Sequence, residues 1–168
     1  MAVENVILPL AAQLLSELCA CLAAHEVPVC HCCFTLKIPA TADHCCKCPS
    51  GIGHAWLGMA TAYPSGRFPV PLQTAVECPE PYTVAVMTMG VWRCQTIPSD
   101  GSPPTCDEKT ANFARALGDG AIMRSVARKV LAERTWTPGN WEMLEPEGMC
   151  YGGMFTFSVA TEDCGECD

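Results

Sequence analysis

The amino-acid sequence predicts an α+β fold, a mostly antiparallel β-sheet flanked by two α-helices. Three patterns carry that expectation. Apolar residues recur at helical spacing over residues 3–24. Residues Tyr82–Cys94 are apolar on both faces, as in a central strand. Thr105 and Glu108, three positions apart, form a capping-box signature just ahead of a second helical stretch. No internal repeat and no second composition are visible, so one domain is expected over residues 1–161. An acidic, cysteine-containing tail, EDCGECD, follows over 162–168.

Each element has its own signal. In the first helix the stripe is Val3, Val6, Ile7, Leu10, Leu14, Leu18 and Leu22, with Pro9 in its first turn or at a kink and His25–Pro28 ending it. Residues 30–38 alternate: Phe34, Leu36 and Ile38 face one way, Cys33, Thr35 and Lys37 the other, as in a half-buried strand. Residues 39–53 read as a loop rich in Pro, Gly and Cys. His54–Tyr63 reads as a second strand, and PSGRFPVP as an irregular connection with three prolines.

The long strand Tyr82–Cys94 ends at a SDGSPP turn. The second helix then runs from the capping box towards Arg134. Phe113, Leu117, Ile122, Val126 and Val130 supply its expected core face, and Gly118 and Gly120 predict a break near Asp119. After a TPGN turn, residues 141–145 suggest a short strand. A final strand follows the Gly152-Gly153 pair, with Phe155, Phe157 and Val159 inward and Thr156 and Ser158 on a polar face. The glycine pair itself reads as a bulge or a close backbone approach.

Composition bounds the class. With 168 residues, 49% apolar and 17% charged, the chain can bury a real core and is not disordered. No apolar run approaches the roughly 18 residues of a membrane span, and Glu4, Ser16 and Glu17 interrupt an N-terminal segment that lacks a basic n-region, so neither a span nor a signal peptide is expected and synthesis is expected in the cytoplasm. The net charge of −8 disfavours nucleic acid as a partner. Its distribution is uneven. From Thr135 onward there are seven acids (Glu142, Glu145, Glu147, Glu162, Asp163, Glu166, Asp168) and no Lys or Arg, whereas six of the ten bases lie between Lys109 and Arg134. Such asymmetry suits charge-complementary contact between copies or with a partner, or simply a solvated surface.

Fourteen cysteines are the loudest feature, above all CHCC at Cys30–Cys33 and DHCCKC at Asp43–Cys48. Zinc would need four thiolate or imidazole ligands in two close pairs. Cys30, Cys32 and Cys33 could face Cys45, Cys46 and Cys48, but adjacent cysteines and the tight Cys46-x-Cys48 step suit one ion poorly. Cys164-x-x-Cys167 has redox-motif spacing but sits in an acidic terminus, where negative charge raises a thiol pKa. His25, His31, His44 and His54 offer no nucleophile signature around any cysteine. Phosphate-binding and metalloprotease motifs do not occur. The expectation is therefore no enzyme, no catalytic residue, no cofactor and no metal site. Buried thiols with some late disulfides account for the cysteines.

Five stretches in fixed order say more: DHCCKCPSGIGHAWLGMATAYPSGRFP, AVECPEPYTVAVMTMGVWRCQ, SDGSPPT, ARALGDGAIMRSVARKVL and EPEGMCYGGMFTFSV. Together, over roughly residues 43–160, they resemble neck and tail-completion proteins of long-tailed phages that infect actinobacteria. AYPSGRFP, VWRC, DGSPPT and GMCYGGMFTFSV carry most of the likeness, with Cys46 and Cys48 ahead of the tryptophan-bearing strand at Trp56. Within that group the element order looks like tail terminators.

The resemblance implies a virion protein that forms a hexameric ring on the head-proximal end of the tail. Such a ring stops tube growth and meets the head. The implied partners are further copies of the chain, the tail tube protein and a head-side neck or stopper protein, with no membrane. A head-side connector or stopper of the same particle, a zinc-binding interaction module and a thiol enzyme are the competing readings. A ring needs two different patches that meet head to tail, and Arg115, Arg124, Arg128 and Arg134 against Glu142, Glu145 and Glu147 are the candidates read from charge. Cys78, Cys94 and Cys150 are the expected partners of the Cys45–Cys48 cluster in any late disulfide.

Overall fold

The computed structural model describes residues 4–35, 53–72, 82–95, 102–147 and 150–161. Their order is α1 (Glu4–Ala24), β1 (His31–Thr35), β2 (His54–Ser65), β3 (Tyr82–Cys94), α2 (Cys106–Val130), β4 (Trp136–Glu147) and β5 (Cys150–Thr161). The strands form one sheet in the order β1-β2-β3-β5-β4. Only the β1–β2 pair is parallel; the other three pairings are antiparallel. The α+β expectation, with two helices against a mostly antiparallel sheet, is what the chain adopts. Leu36 and Ile38, the loop over 39–52, most of the SDGSPP turn and the 162–168 tail lie outside the described residues.

Both helices cover the same face of the sheet. Leu10, Leu14, Leu18 and Leu22 of α1 are buried with Met123, Val126 and Ala127 of α2. They pack against Leu57, Met87, Met89, Val91, Phe155, Phe157 and Val159 from the sheet. Strand alternation sends the remaining residues to the opposite face, where Trp56, Trp92 and Cys150 form a second, smaller core. This is why Tyr82–Cys94 is apolar on both sides.

In the α1 stripe Ile7, Leu10, Leu14, Leu18 and Leu22 are buried as their spacing predicts, but two details differ. Pro9 lies inside the helix and is exposed, so its missing N–H and its ring fall on the solvent side. The window Ile7–Ala24 is also long and apolar enough, by length and composition, to cross a membrane, contrary to the expectation from its charges. In this fold its leucine stripe packs into the core. The helix ends with Val27 N–H donating to Leu22 O (3.0 Å) and Glu26 N–H to Ala23 O (3.1 Å), while Glu26 takes φ 59°. This is the Schellman stop, with a glutamate in the position that usually holds glycine.

The second helix opens as predicted. Thr105 Oγ1 accepts from Glu108 N–H, and Glu108 Oε2 accepts from Thr105 N–H at 2.7 Å. It then runs unbroken past Gly118 and Gly120 and ends at Val130, short of Arg134. Of the expected core face, Val126 is buried and Ile122 and Val130 pack partly buried against the core, but Phe113 and Leu117 are exposed; Ala116, Asp119, Gly120, Met123 and Ala127 turn inward instead. Small residues win this face because they let the helix backbone approach the sheet. A Cβ on Gly120 would stand 2.5 Å from Trp141 Nε1.

β4 is longer than expected. Trp136–Glu147 absorbs TPGN as an irregularity between Pro138 and Trp141, at the edge of the sheet where proline costs no ladder bond. The Gly152-Gly153 pair is a close approach: a Cβ on Gly152 would meet Val91 O at 2.0 Å, and one on Gly153 would meet the Trp141 ring at 2.8 Å.

The two helix glycines predict opposite outcomes for the same change. Nothing lies within 4 Å of a Cβ on Gly118, so Gly118→Ala should raise unfolding stability by about 0.5–1 kcal/mol through helix propensity. Gly120→Ala must displace Trp141 and should lower stability by about 1–3 kcal/mol as an overpacking change. Urea unfolding of both variants checks this; equal stabilisation would disprove the Gly120–Trp141 contact.

Candidate functional site

The most heavily bonded buried side chain is Arg93 on β3. Its Nε donates to Asp119 Oδ2 (2.9 Å) and its Nη2 to Asp119 Oδ1 (2.8 Å), a two-pronged pairing with helix α2. Nη1 donates to Pro28 O (2.8 Å) and Nη2 to Val27 O (2.9 Å), in the segment that leaves α1. Both charged side chains are almost fully buried, at 3% and 1% exposure. Tyr151 stands opposite Arg93 on β5. Burial pushes its hydroxyl pKa up, against the pull of the Arg115 guanidinium. This cluster bonds to itself and to backbone, which is the chemistry of a structural clasp. A second, exposed ion pair joins Lys129 of α2 to Glu17 of α1, and Lys129 holds the Glu17 carboxyl below its ordinary pKa.

The CHCC motif resolves by strand alternation. Cys32 stands opposite Ala55 on the helix-covered face, and Cys33 opposite Trp56 on the other. Cys32 is disulfide-bonded to Cys19 of α1, with Cα atoms 6.5 Å apart. Cys30 and Cys150 are disulfide-bonded as well. Cys33 keeps its thiol, and its Sγ lies 2.9 Å from His54 Nε2. His31 stands edge-on to His54 with ring centroids 6.4 Å apart. Desolvation around the sulfur raises the Cys33 thiol pKa, although the residue as a whole is exposed.

These facts revise the sequence reading of the cysteines. Two of the three upstream candidates for zinc, Cys30 and Cys32, are oxidised here and could bind a metal only after reduction. His44, Cys45, Cys46 and Cys48 lie outside the described residues. Among the described residues no group of three His, Cys, Asp or Glu side chains is arranged around a common point. Of the three cysteines expected to pair with the Cys45–Cys48 cluster, Cys150 is in a disulfide, Cys94 remains a thiol and Cys78 is not described. The Cys19–Cys32 bridge and the Cys33–His54 pair were both missed from sequence. The parallel β1–β2 register, which aligns His31 with His54, is what creates the second.

Six of the seven large exposed apolar side chains among the described residues fall into two sets at opposite edges of the sheet; the seventh, Val70, lies in the connection after β2. Phe34 and Met59, on β1 and β2, are 49% and 45% exposed, and Leu8 of α1 is 59% exposed. On α1, Leu8 lies within about 20° of Cys19, which is bonded to β1, at roughly 100° per residue. At the other edge stand Phe113 (53%) and Leu117 (44%) of α2 and Met143 (41%) of β4. Phe113 and Leu117 lie within about 60° of Gly120, the residue that touches Trp141 of β4. Arg124 and Arg128 share this flank, and Glu142 sits on the same edge strand. Of the two charge patches read from sequence, Arg124, Arg128 and Glu142 thus lie on one edge, while Arg115 stands beside Tyr151 and Arg134 beyond the end of α2. A shallow cleft of about 330 Å³ between the middle of α1 and the C-terminal end of α2 is lined by Gln13, Lys129, Glu133 and Arg134.

Neither a protein-family model nor a curated protein matches the chain.

Two stability outcomes follow from the clasp and the bridge. Asp119→Leu leaves the Arg93 charge buried without its partner and should cost about 3–5 kcal/mol, whereas Arg93→Met with Asp119→Leu together should cost less than the sum of Arg93→Met and Asp119→Leu alone. Denaturant unfolding of the double-mutant cycle measures this, and additive losses would contradict it. Reducing the Cys19–Cys32 bridge, with a sequence separation of 13, should lower stability by about 3 kcal/mol. Unfolding of Cys19→Ser against the parent chain checks that value.

Proposed function

We propose that this chain is a structural virion protein of a tailed phage. It forms a closed ring, most simply of six copies, at the head-proximal end of the tail, ends growth of the tail tube and joins tail to head. The observation that carries the reading is the pair of exposed apolar edges at opposite ends of one sheet. A ring made of identical copies needs two unlike patches on each copy, related so that one meets the other around an axis. Leu8, Phe34 and Met59 supply one patch, and Phe113, Leu117 and Met143 the other.

Three further points support it. The resemblance over residues 43–160 points to tail terminators. The bonding of the buried charged cluster is directed inward, which suits a scaffold. The two long helices, of 21 and 25 residues, favour a terminator over a head-side stopper, for which a helix-poor β-barrel is expected. In this reading the partners are further copies, the tail tube protein and a head-side neck protein.

Native mass spectrometry, with and without tail tubes, tests the assembly. The parent chain should give a sixfold mass. Phe34→Glu and Leu117→Glu should each remain monomeric alone, because each destroys one edge. Mixed together they should give a two-chain species, because one intact pair of edges remains. A parent chain that stays monomeric even with tail tubes, or that forms only a two-fold symmetric dimer, would refute the ring.

A further inference from the structure

We propose that Cys33 is a site of covalent thiol modification, with the His54 imidazole as its built-in base and low-molecular-weight disulfides as its chemical partners. The inference does not depend on ring formation. Its basis is a contact that the sheet imposes. β1 lies parallel to β2 with His31 opposite His54, so Cys33, two residues further along β1, shares a face with His54. Its sulfur stands 2.9 Å from Nε2. The two groups differ in access. Cys33 is exposed at the edge of the sheet, whereas His54 is 2% exposed. A reagent therefore reaches the sulfur while the surrounding fold holds the base in place.

The electrostatics make the base necessary. Desolvation raises the Cys33 pKa, so the sulfur carries its proton near neutrality and is a weak nucleophile by itself. With Nε2 accepting that proton, the sulfur attacks as a thiolate. Sγ forms a bond to one sulfur of the incoming disulfide, the S–S bond of the reagent breaks, and its second sulfur leaves as a thiolate. That thiolate takes the proton from His54 and departs as a thiol. Nothing is oxidised or reduced overall beyond the exchange of one disulfide for another.

Among the described residues, Cys32, Cys21 and Cys106 do not duplicate this arrangement. Cys32 is already bonded to Cys19 on the opposite face of the sheet. Cys21 is partly buried and donates its S–H to Glu17, and burial first, then that carboxylate, raises its pKa. Cys106, at the start of α2, is exposed and free, which makes it an internal reference for simple accessibility.

The experiment is brief exposure of the intact chain to 5,5′-dithiobis(2-nitrobenzoate), quenching, and peptide mass spectrometry to compare Cys33 with Cys106. Cys33 should be modified roughly a hundredfold faster or more, the lower end of what a positioned base contributes. In His54→Gln the advantage should fall to near unity while Cys106 is unchanged. Equal rates at the two cysteines in the parent chain would overturn the proposal, as would an undiminished ratio in a folded His54→Gln variant. If thermal unfolding shows that this variant does not fold, the ratio in the parent chain decides alone: a preference of roughly a hundredfold upholds the assignment and a ratio near one overturns it.

Discussion

The Arg93–Asp119 pair is the constraint around which the rest of the molecule is arranged. A guanidinium and a carboxylate taken out of water are tolerated only if nearly every donor and acceptor is matched. Here the match is supplied by three separate parts of the chain: β3, the middle of α2 and the segment leaving α1. The pair therefore specifies position more than it adds stability. It sets the rotation of α2 about its axis, because Asp119 must point at the sheet. It also sets the exit of α1, because Val27 and Pro28 must offer their carbonyls. The Schellman stop at Glu26 turns the chain so that they do.

Glycine and tryptophan complete the fit. Three of the four tryptophans lie against glycines with no room for a Cβ: Trp56 on Gly90, Trp92 on Gly152, and Trp141 between Gly120 and Gly153. Glycine ordinarily weakens a strand or a helix. Here the loss is offset by burying large ring surfaces flat against backbone. The Trp141 contact is also the hinge of the surface chemistry. By drawing the small face of α2 down onto the sheet, it leaves Phe113 and Leu117 on the outside. Exposed apolar side chains grouped at an edge mark a surface meant for contact.

The two edges have different chemistry. The α2/β4 edge is apolar with arginines on its flank. The α1/β1 edge is apolar and sulfur-rich, with one disulfide to the helix and one thiol beside a histidine. In the proposed ring these unlike edges meet through Phe34 on the helix-covered face, while Cys33 lies on the other face of the sheet. On the proposed virion role, the disulfides would form after a particle built in a reducing cell is released from it.

What the sequence determined by itself was everything set by local periodicity and short-range bonding. The α+β class, the leucine stripe of α1, the limits of β3 at Tyr82–Cys94, the Thr105–Glu108 cap and the alternation in Phe155–Val159 were all legible, because each depends on neighbours within a few residues. What only the tertiary structure decided depends on residues far apart in the chain. Asp119 looked like part of a helix break until Arg93 was brought opposite it. Gly120 looked like a weak point until Trp141 filled the space beside it. TPGN looked like a turn until an edge strand ran through it. The fates of Cys32 and Cys33 separated only when β1 paired with β2 beneath α1, placing adjacent cysteines on opposite faces, one against a helix thiol and the other against an imidazole. Helix rotation, strand register and burial are global variables, and a pattern read along one segment carries no information about which partner will occupy the other side.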